Sequence, residues 1–93
     1  MDLKFEWDDE KAIINLRKHK VAFEDALYVF QDVNRVEFFD AEHSEDEDRY
    51  ITIGMVGTIL FVVFTERKDA IRIISARKAN SIERGYYYGS VNH

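Results

Sequence analysis

The sequence predicts an α+β fold: an N-terminal helical hairpin packed on one face of a four-stranded antiparallel sheet, followed by a C-terminal helix. Three observations predict it. Apolar residues repeat at helical spacing before residue 32, they alternate or run continuously between residues 36 and 77, and only short polar turns separate the extended segments. Strands joined by such short turns are antiparallel, because a parallel crossover needs about a dozen residues or more.

The first helix is predicted from its cap and its charges. Asp8 or Asp9 is a suitable N-cap, and the helix is expected to run to about His19. Acidic residues at its start and basic residues at its end complement the helix dipole. Helical spacing predicts that Ile13 and Leu16 face inward.

Two further helices are predicted, one before the strands and one after them in the sequence. The second helix covers residues 23–31, where apolar side chains recur at i, i+3, i+4 and i+7. Only Val21 and Ala22 connect it to the first helix, so the two form a hairpin. The last helix is expected to begin near Asn80, which has capping-box spacing to Glu83.

The extended segments lie between these helices. The predicted strands cover residues 36–39, 49–55, 58–65 and 70–77, and residues 5–7 are an extended lead-in to the first helix. Residues 58–65 form a continuous apolar run, which is typical of a central strand covered on both faces. Residues 40–48 form an acidic loop too polar to be buried. Because the hairpin covers one face, functional residues are expected on the other, partly open face.

Composition limits the class of protein. The 93 residues are 46% hydrophobic and include no cysteine, so we expect one globular domain over residues 1–93 without disulfides or thiolate metal sites. The longest apolar run is far shorter than the roughly 20 residues that cross a bilayer, and the N-terminus lacks a signal-peptide pattern. A cytoplasmic protein that is neither exported nor embedded in a membrane is expected.

The net charge of −5 is unevenly distributed. Residues 1–48 hold 15 acidic and 6 basic residues, a net −9, whereas residues 49–93 hold 3 acidic and 7 basic residues, a net +4. Phosphate contacts dominate the affinity of proteins for nucleic acids. The second half of the chain is therefore the half suited to an anionic partner.

Two strand-end arginines are the first candidates for chemistry. We expect Arg67 and Arg77 to converge with Glu66 at one edge of the sheet, where arginines can clamp a phosphate and a carboxylate can serve as general base. Surface salt bridges of little energetic weight are the alternative. Strict alternation divides the last strand into two faces: Ile71, Ile73, Ser75 and Arg77 on one, and Arg72, Ile74 and Ala76 on the other.

Two histidines have alternative interpretations. His19, beside Lys18 at the end of the first helix, can act as an acid or base near neutral pH or can satisfy terminal carbonyls. His43 lies in the acidic loop, but one histidine there lacks defined ligand spacing, so a solvated charge run is expected rather than a metal site. Since glycine-rich phosphate loops, nucleophile elbows and paired Cys/His sets are missing from the sequence, no cofactor and no metal are expected.

Five segments carry a family resemblance. They are Phe5-Glu6-Trp7-Asp8, Asn15-Leu16-Arg17-Lys18-His19, Val21-Ala22-Phe23-Glu24-Asp25-Ala26, Asp40-Ala41-Glu42-His43-Ser44-Glu45, and Thr65-Glu66-Arg67 with Arg72-Ile73-Ile74-Ser75-Ala76-Arg77. In this order, and over nearly the whole chain, they resemble the BrnT toxins. The ordered set is far more specific than any one of its segments.

The resemblance implies a RelE-like fold and a toxin of a type II toxin–antitoxin system. Such a toxin cleaves RNA and thereby arrests translation and growth. A BrnA-type ribbon–helix–helix antitoxin neutralises it, and the toxin contacts operator DNA only through that antitoxin. By position, the resemblance transfers catalysis to Arg67 and Arg77, with Glu66, Lys18 and His19 as further candidates. The expected RNA contacts are Arg49, Arg72, Lys78, Arg84 and Tyr87. Since the chain lacks a metal cluster, attack by the RNA 2′-hydroxyl is expected, leaving a 2′,3′-cyclic phosphate.

The sequence departs from the family pattern at three places. Lys20 stands where a glycine is common, so a left-handed helix end there costs about 1 kcal/mol. Ala22 replaces the usual serine N-cap, at a cost of about 1 kcal/mol. The C-terminal helix is poor in arginine, which motivates an alternative function: a catalytically weak or inactive homologue that acts as binding partner and co-repressor with its antitoxin. A metal-dependent nuclease using residues 40–48 is the third hypothesis.

Overall fold

A five-stranded mixed sheet is the centre of the computed structural model, which describes residues 3–91. The strands are β1 (Lys4–Glu6), β2 (Val36–Phe39), β3 (Arg49–Val56), β4 (Thr58–Arg67) and β5 (Ala70–Lys78). Their order across the sheet is β1-β5-β4-β3-β2. The predicted domain of residues 1–93 extends beyond the described residues at both ends.

The expectation of four strands, all antiparallel, is wrong in one respect. Strands β2 to β5 form the expected antiparallel meander, but β1 adds a fifth strand that pairs with β5 in parallel, with Lys4 opposite Ala70. The parallel pair is sterically possible because the hairpin and three strands lie between its members along the chain. A three-residue strand has too few positions to show an alternation.

The helices are α1 (Asp9–His19), α2 (Phe23–Ala26) and α3 (Ser81–Val91). The second predicted helix, residues 23–31, is α-helical for only one turn and continues as a 3-10 helix, Leu27–Gln31. This tighter helix lies directly against β3: a Cβ at Gly54 would approach Val29 Cγ1 to 2.8 Å. None of the helices in residues 3–91 has the length and apolar character that crossing a membrane requires.

The face that α1 turns to the sheet differs from the predicted one. Ile13 and Leu16 are 53% and 48% exposed, whereas Asn15 is buried. The Asn15 side chain donates to the carbonyls of Val21 (3.0 Å) and Ala76 (2.8 Å) and accepts from the Ala76 N–H (3.1 Å). A buried amide whose hydrogen bonds are satisfied this fully fixes α1 on β5. These contacts turn the two apolar side chains outward.

The helix ends follow the predicted caps. Asp8 accepts from the Lys11 N–H at 3.1 Å as the N-cap of α1. Lys20 ends that helix in the left-handed conformation, with φ 62°. At the start of α3, the Asn80 and Glu83 side chains each accept the other's backbone N–H at 2.9 Å, which is a complete capping box.

Apolar clusters lie on both faces of the sheet, because side chains alternate along β4. On one face Leu60, Val62 and Phe64 pack with residues of the helical hairpin. On the other face Ile59 is buried with Tyr87 of α3. The predicted coverage of this strand on both faces is confirmed near α3. Toward its C-terminal end the second face is open, with Val63 only half-buried.

A β-bulge in β5 overturns the predicted alternation of that strand. Val63 of β4 pairs with Ser75, but the next residue, Phe64, pairs with Ile73, so one residue of β5 is left over. Because a bulge reverses the facing of the residues beyond it, Ile73 lies on the hairpin face with Ala76. Arg72, predicted on the opposite face from Arg77, shares its face.

Candidate functional site

An open cleft of about 390 Å³ lies on the face of β3, β4 and β5 that α3 leaves uncovered. Its floor is the open face of the three strands, and the loop after β2 forms one wall. The cleft is lined by Asp40, Glu42, His43, Arg49, Ile51, Phe61, Val63, Ile74, Ser75 and Arg77. Two guanidinium groups, one imidazole and two carboxylates therefore border a partly apolar floor.

Arg77 is held at this site from three directions. Its Nη1 and Nη2 donate to Glu83 Oε1 and Oε2 at 2.7 and 2.8 Å, and its Nη1 also donates to the Lys78 carbonyl at 3.3 Å. The guanidinium carbon lies 4.0 Å from the ring centroid of Phe61. Hydrogen bonding to Glu83 raises the pKa of Arg77 and lowers the pKa of Glu83. Both groups therefore stay charged, and the guanidinium plane is fixed.

Arg49 borders the same cleft from β3. Its Nε is buried and has no hydrogen-bond partner among the described residues. Its backbone holds the loop, because the Arg49 carbonyl accepts from the Asp40 N–H at 2.8 Å and the Arg49 N–H donates to Ser44 Oγ at 2.9 Å. The loop predicted to be a solvated charge run is thus tied to the first residue of β3.

Asp40 and His43 form a pair within this loop. The Asp40 carboxylate is 12% exposed and the His43 ring is 62% exposed. His43 Nδ1 lies 3.1 and 3.2 Å from the two carboxylate oxygens. No three metal-ligating side chains within residues 3–91 are arranged to share an ion. The imidazole is therefore oriented by a carboxylate at the edge of a cleft that contains two arginines.

An apolar groove of about 440 Å³ continues from the cleft toward α3. The two share Ile51 and Phe61, and the groove's outer wall includes Phe38, Ile82 and Tyr86. The rings of Phe38 and Tyr86 lie 5.5 Å apart, edge to face. This groove gives the open face an aromatic surface beside its charged cleft.

Tyr87, one of the predicted RNA contacts, lies in the core rather than on an exposed surface. Tyr87 is 5% exposed and its hydroxyl donates to Asp32 Oδ2 at 2.7 Å. Burial, together with that carboxylate, raises the pKa of Tyr87 to about 12. Its neighbours Tyr86 and Tyr88 are 54% and 48% exposed. At helical spacing only one or two of three consecutive tyrosines can face the core, and the sequence does not show which.

The predicted convergence of Arg67 with Arg77 is wrong. Arg77 is paired with Phe61, and Arg67 lies six residues further along β4, a separation of about 20 Å at the rise of a strand. Arg67 is at the β4–β5 turn, where its Nη2 contacts Glu47 Oε2 at 3.2 Å. Glu66 pairs with Ile71, which faces the hairpin side. The tight turn between β4 and β5 places the start of β5, not its end, beside Arg67.

The remaining predicted residues lie around the cleft or behind the sheet. Lys18 and His19 belong to α1, which packs on the hairpin face, and Lys78 pairs with Leu60 of that same face. Arg72 forms an ion pair with Glu6 at 2.7 Å on the open face. Arg84 donates to the Ala79 carbonyl at 3.1 Å. Of the ten predicted site residues, Arg49 and Arg77 line the cleft.

The family model for the ribonuclease toxin BrnT of type II toxin–antitoxin systems matches residues 7–83, a span that includes every residue of the cleft. This chain belongs to the BrnT family. The crystal structure of the Brucella abortus ribonuclease toxin BrnT matches with a TM-score of 0.67 and 25% identity, over 86% of this chain and 100% of that one. The comparison with curated protein sequences gave no match. This BrnT-family chain is thus a ribonuclease toxin of a type II system, and its partner is an antitoxin.

Sequence reasoning missed the Asp40–His43 pair. The sequence of residues 40–48 suggests two alternatives, metal ligation and a solvated charge run, and neither includes this pair. A usable signal was present, because an aspartate and a histidine three residues apart, followed by Ser44, suit a short turn in which the carboxylate meets the ring. That turn is the 3-10 helix Ala41–His43.

Proposed function

We propose that this BrnT-family toxin is a metal-independent endoribonuclease. The RNA 2′-hydroxyl attacks the adjacent phosphorus, and the product is a 2′,3′-cyclic phosphate or its hydrolysed form. One observation carries the proposal: Arg77 is locked in a cleft that also contains Arg49. A cation already oriented toward developing negative charge stabilises the transition state without reorganising.

The ion pair with Glu83 does not occupy all of Arg77. A guanidinium has five N–H donors. Glu83 takes one hydrogen from each Nη atom, and the Lys78 carbonyl takes a second from Nη1. The described contacts leave the Nε–H and one Nη2 hydrogen for a phosphate. Glu83 and Phe61 thus fix the direction in which these donors point.

The surface around the cleft suits single-stranded RNA. Aromatic side chains stack on nucleobases with little dependence on base identity, and Phe38 and Tyr86 are 41% and 54% exposed beside the cleft. The RNA backbone lies over Arg49 and Arg77, and an adjacent base lies in the apolar groove. Arg72, which is ion-paired with Glu6, and Arg84 lie outside the cleft lining and are proposed as further RNA contacts.

We propose a BrnA-type ribbon–helix–helix protein as the antitoxin. Membership of the BrnT family supports this partner. Operator DNA is contacted through the antitoxin, and the toxin acts in the cytoplasm, where RNA cleavage arrests translation and growth. The antitoxin is expected to cover the cleft and the groove, which together offer charged and apolar contacts.

Arginine substitutions test the catalytic proposal. Arg77→Ala is expected to lower the rate of RNA cleavage by about 10²–10³-fold, the scale for loss of one electrostatic donor, while RNA binding falls much less. Arg67→Ala, the matched change at the far end of β4, is expected to change the rate by less than about threefold, as for a surface charge outside the cleft. An Arg77→Ala protein that is folded and cleaves at the normal rate contradicts the proposal.

A second function is favoured by the Arg77–Glu83 contact. The carboxylate neutralises the main cation of the cleft, which is the arrangement expected of a weak or inactive nuclease that serves as co-repressor with its antitoxin. Induced expression without the antitoxin separates the two functions. Growth arrest that disappears with Arg77→Ala favours the enzyme, and normal growth with soluble toxin favours the co-repressor.

A further inference from the structure

We propose that His43 is the general base of RNA cleavage and that Asp40 positions its ring. The proposal rests on the ribonuclease function proposed above and identifies the group that takes the proton of the 2′-hydroxyl. Its basis is a single juxtaposition: the carboxylate-bound imidazole borders the same cleft as Arg49 and Arg77.

The pairing determines which ring nitrogen is the base. An ionised carboxylate only accepts hydrogen bonds, so the ring nitrogen beside it, Nδ1 of His43, carries a hydrogen. The lone pair of the neutral ring is then on Nε2. Among the described residues, the hydrogen bonds of the His43 side chain are those to Asp40. The ring is 62% exposed at the edge of the cleft, which leaves Nε2 available to a substrate. A neutral imidazole is suited to this role because its unprotonated ring nitrogen can accept a proton directly.

The loop holds the pair in place through its backbone. The Asp40 N–H donates to the Arg49 carbonyl at 2.8 Å, and the His43 N–H donates to the Asp40 carbonyl at 3.3 Å. Ser44 closes the loop, since its hydroxyl donates to the Asp40 carbonyl and accepts from the Arg49 N–H. His43 is therefore anchored to the first residue of β3, whose side chain is one of the two cleft arginines. A side chain in a free loop would have no such fixed relation to the cations.

The proton balance of the step is complete with these groups. The 2′-hydroxyl oxygen forms a bond to phosphorus, its proton passes to His43 Nε2, and the bond from phosphorus to the 5′-oxygen breaks. The leaving 5′-oxygen takes a proton from solvent, to which the cleft is open. Arg77 and Arg49 stabilise the extra negative charge on the phosphoryl oxygens. The protonated ring then returns its proton to water.

The decisive experiment compares variants under single-turnover conditions, with saturating toxin and an all-ribose oligonucleotide. His43→Gln is expected to cleave about 10²–10⁴-fold more slowly, the usual contribution of a general base. His43→Ala is expected to regain rate when free imidazole is added. Binding of a non-cleavable oligonucleotide with 2′-deoxyribose is expected to be unchanged in both.

Asp40→Asn tests the positioning role. We expect a rate lower by about tenfold or more at unchanged RNA affinity, because the amide no longer selects the productive ring tautomer. Asp46→Asn removes the same charge from the same loop outside the cleft and is expected to cleave normally.

Two results, each with an active wild-type protein, would overturn the role of His43 without affecting the ribonuclease proposal. One is a His43→Gln protein that cleaves within threefold of the wild-type rate. The other is a folded, inactive His43→Ala protein that free imidazole does not rescue. Wild-type protein that cleaves no RNA would overturn the ribonuclease proposal as well.

Discussion

Arg77 and Glu83 form a two-point ion pair that joins the end of β5 to the first turn of α3. The same carboxylate accepts the Asn80 N–H at 2.9 Å. Glu83 therefore caps its own helix and orients the cleft arginine at once. Charge-assisted, bidentate contacts of this type are the strongest hydrogen bonds that side chains make. The position of α3 and the geometry of the cleft are thus linked through one residue.

Glu83→Gln separates these two roles. A glutamine can still close the capping box, but it cannot pair its charge with Arg77, so we expect a loss of about 1–2 kcal/mol of unfolding free energy at neutral pH and slower cleavage. Because Arg77 lowers the pKa of Glu83, the wild-type contribution is present above the ordinary carboxylate range and is lost as the pH falls through the lowered pKa. Urea unfolding at several pH values checks this.

The control for that experiment is Glu45→Gln, which removes an exposed carboxylate from the acidic loop. The difference in stability between wild type and Glu83→Gln should shrink toward zero in acid, whereas Glu45→Gln should follow the wild type throughout. A constant difference at all pH values would show that the ion pair does not account for the effect.

Tyr87→Phe tests the contact that holds α3 near the C-terminal end of β3. Asp32 accepts from the Tyr87 hydroxyl at 2.7 Å and from the Met55 N–H at 2.8 Å. Loss of the hydroxyl is expected to cost about 1–3 kcal/mol, as for a hydrogen bond to a charged group. Tyr88→Phe, on the exposed neighbour, is expected to change stability by less than about 0.5 kcal/mol.

The same pair predicts behaviour in alkali. Burial and Asp32 raise the pKa of Tyr87 from 10.0 to about 12. The folded protein therefore holds this proton more tightly than the unfolded chain. Its contribution is complete below pH 10 and is lost as the pH rises toward about 12. Between these pH values, the thermal unfolding temperature should fall more steeply with rising pH for wild type than for Tyr87→Phe. Parallel curves of unfolding temperature against pH would contradict the assignment.

Hydrogen exchange on free and antitoxin-bound toxin tests the proposed interface. Protection is expected in β3, in the exposed part of α3 and in the loop of residues 40–48, which surround the cleft and the groove. The motivation is the exposed aromatic wall of Phe38 and Tyr86 next to two arginines, since aromatic residues and arginine are enriched at interfaces. Protection confined to α1 and α2 would refute this interface.

Local signals in the sequence predicted much of the fold. The capping box at Asn80, the left-handed end at Lys20 and the strands β2 to β5 follow from spacing and turn chemistry within a few residues. What failed depends on distant partners. β1 exists only because β5 pairs with it, and α1 turns Asn15 inward because the backbone of Ala76 satisfies its amide. Neither partner is near in sequence.

The candidate site was predicted less completely, for the same reason. Arg77 was identified as a candidate, but its distance from Arg67 depends on which end of a hairpin each residue occupies. The extra residue at the bulge in β5 moves the Arg72 side chain to the other face of the sheet. A bulge in an apolar strand has no distinctive residue composition from which it could be predicted. The Asp40–His43 pair depends on a loop that Ser44 and Arg49 fold together.

The most direct measurement of the central claim is the cleavage of a defined RNA by purified toxin in excess chelator, with the product ends identified by mass spectrometry. Metal-independent attack by the 2′-hydroxyl predicts undiminished cleavage, a 2′,3′-cyclic phosphate on the upstream fragment, and no cleavage when the nucleotide at the cut carries 2′-deoxyribose. Cleavage that requires a divalent ion, or that proceeds at the 2′-deoxy position, would contradict the proposed chemistry of the Arg77 cleft.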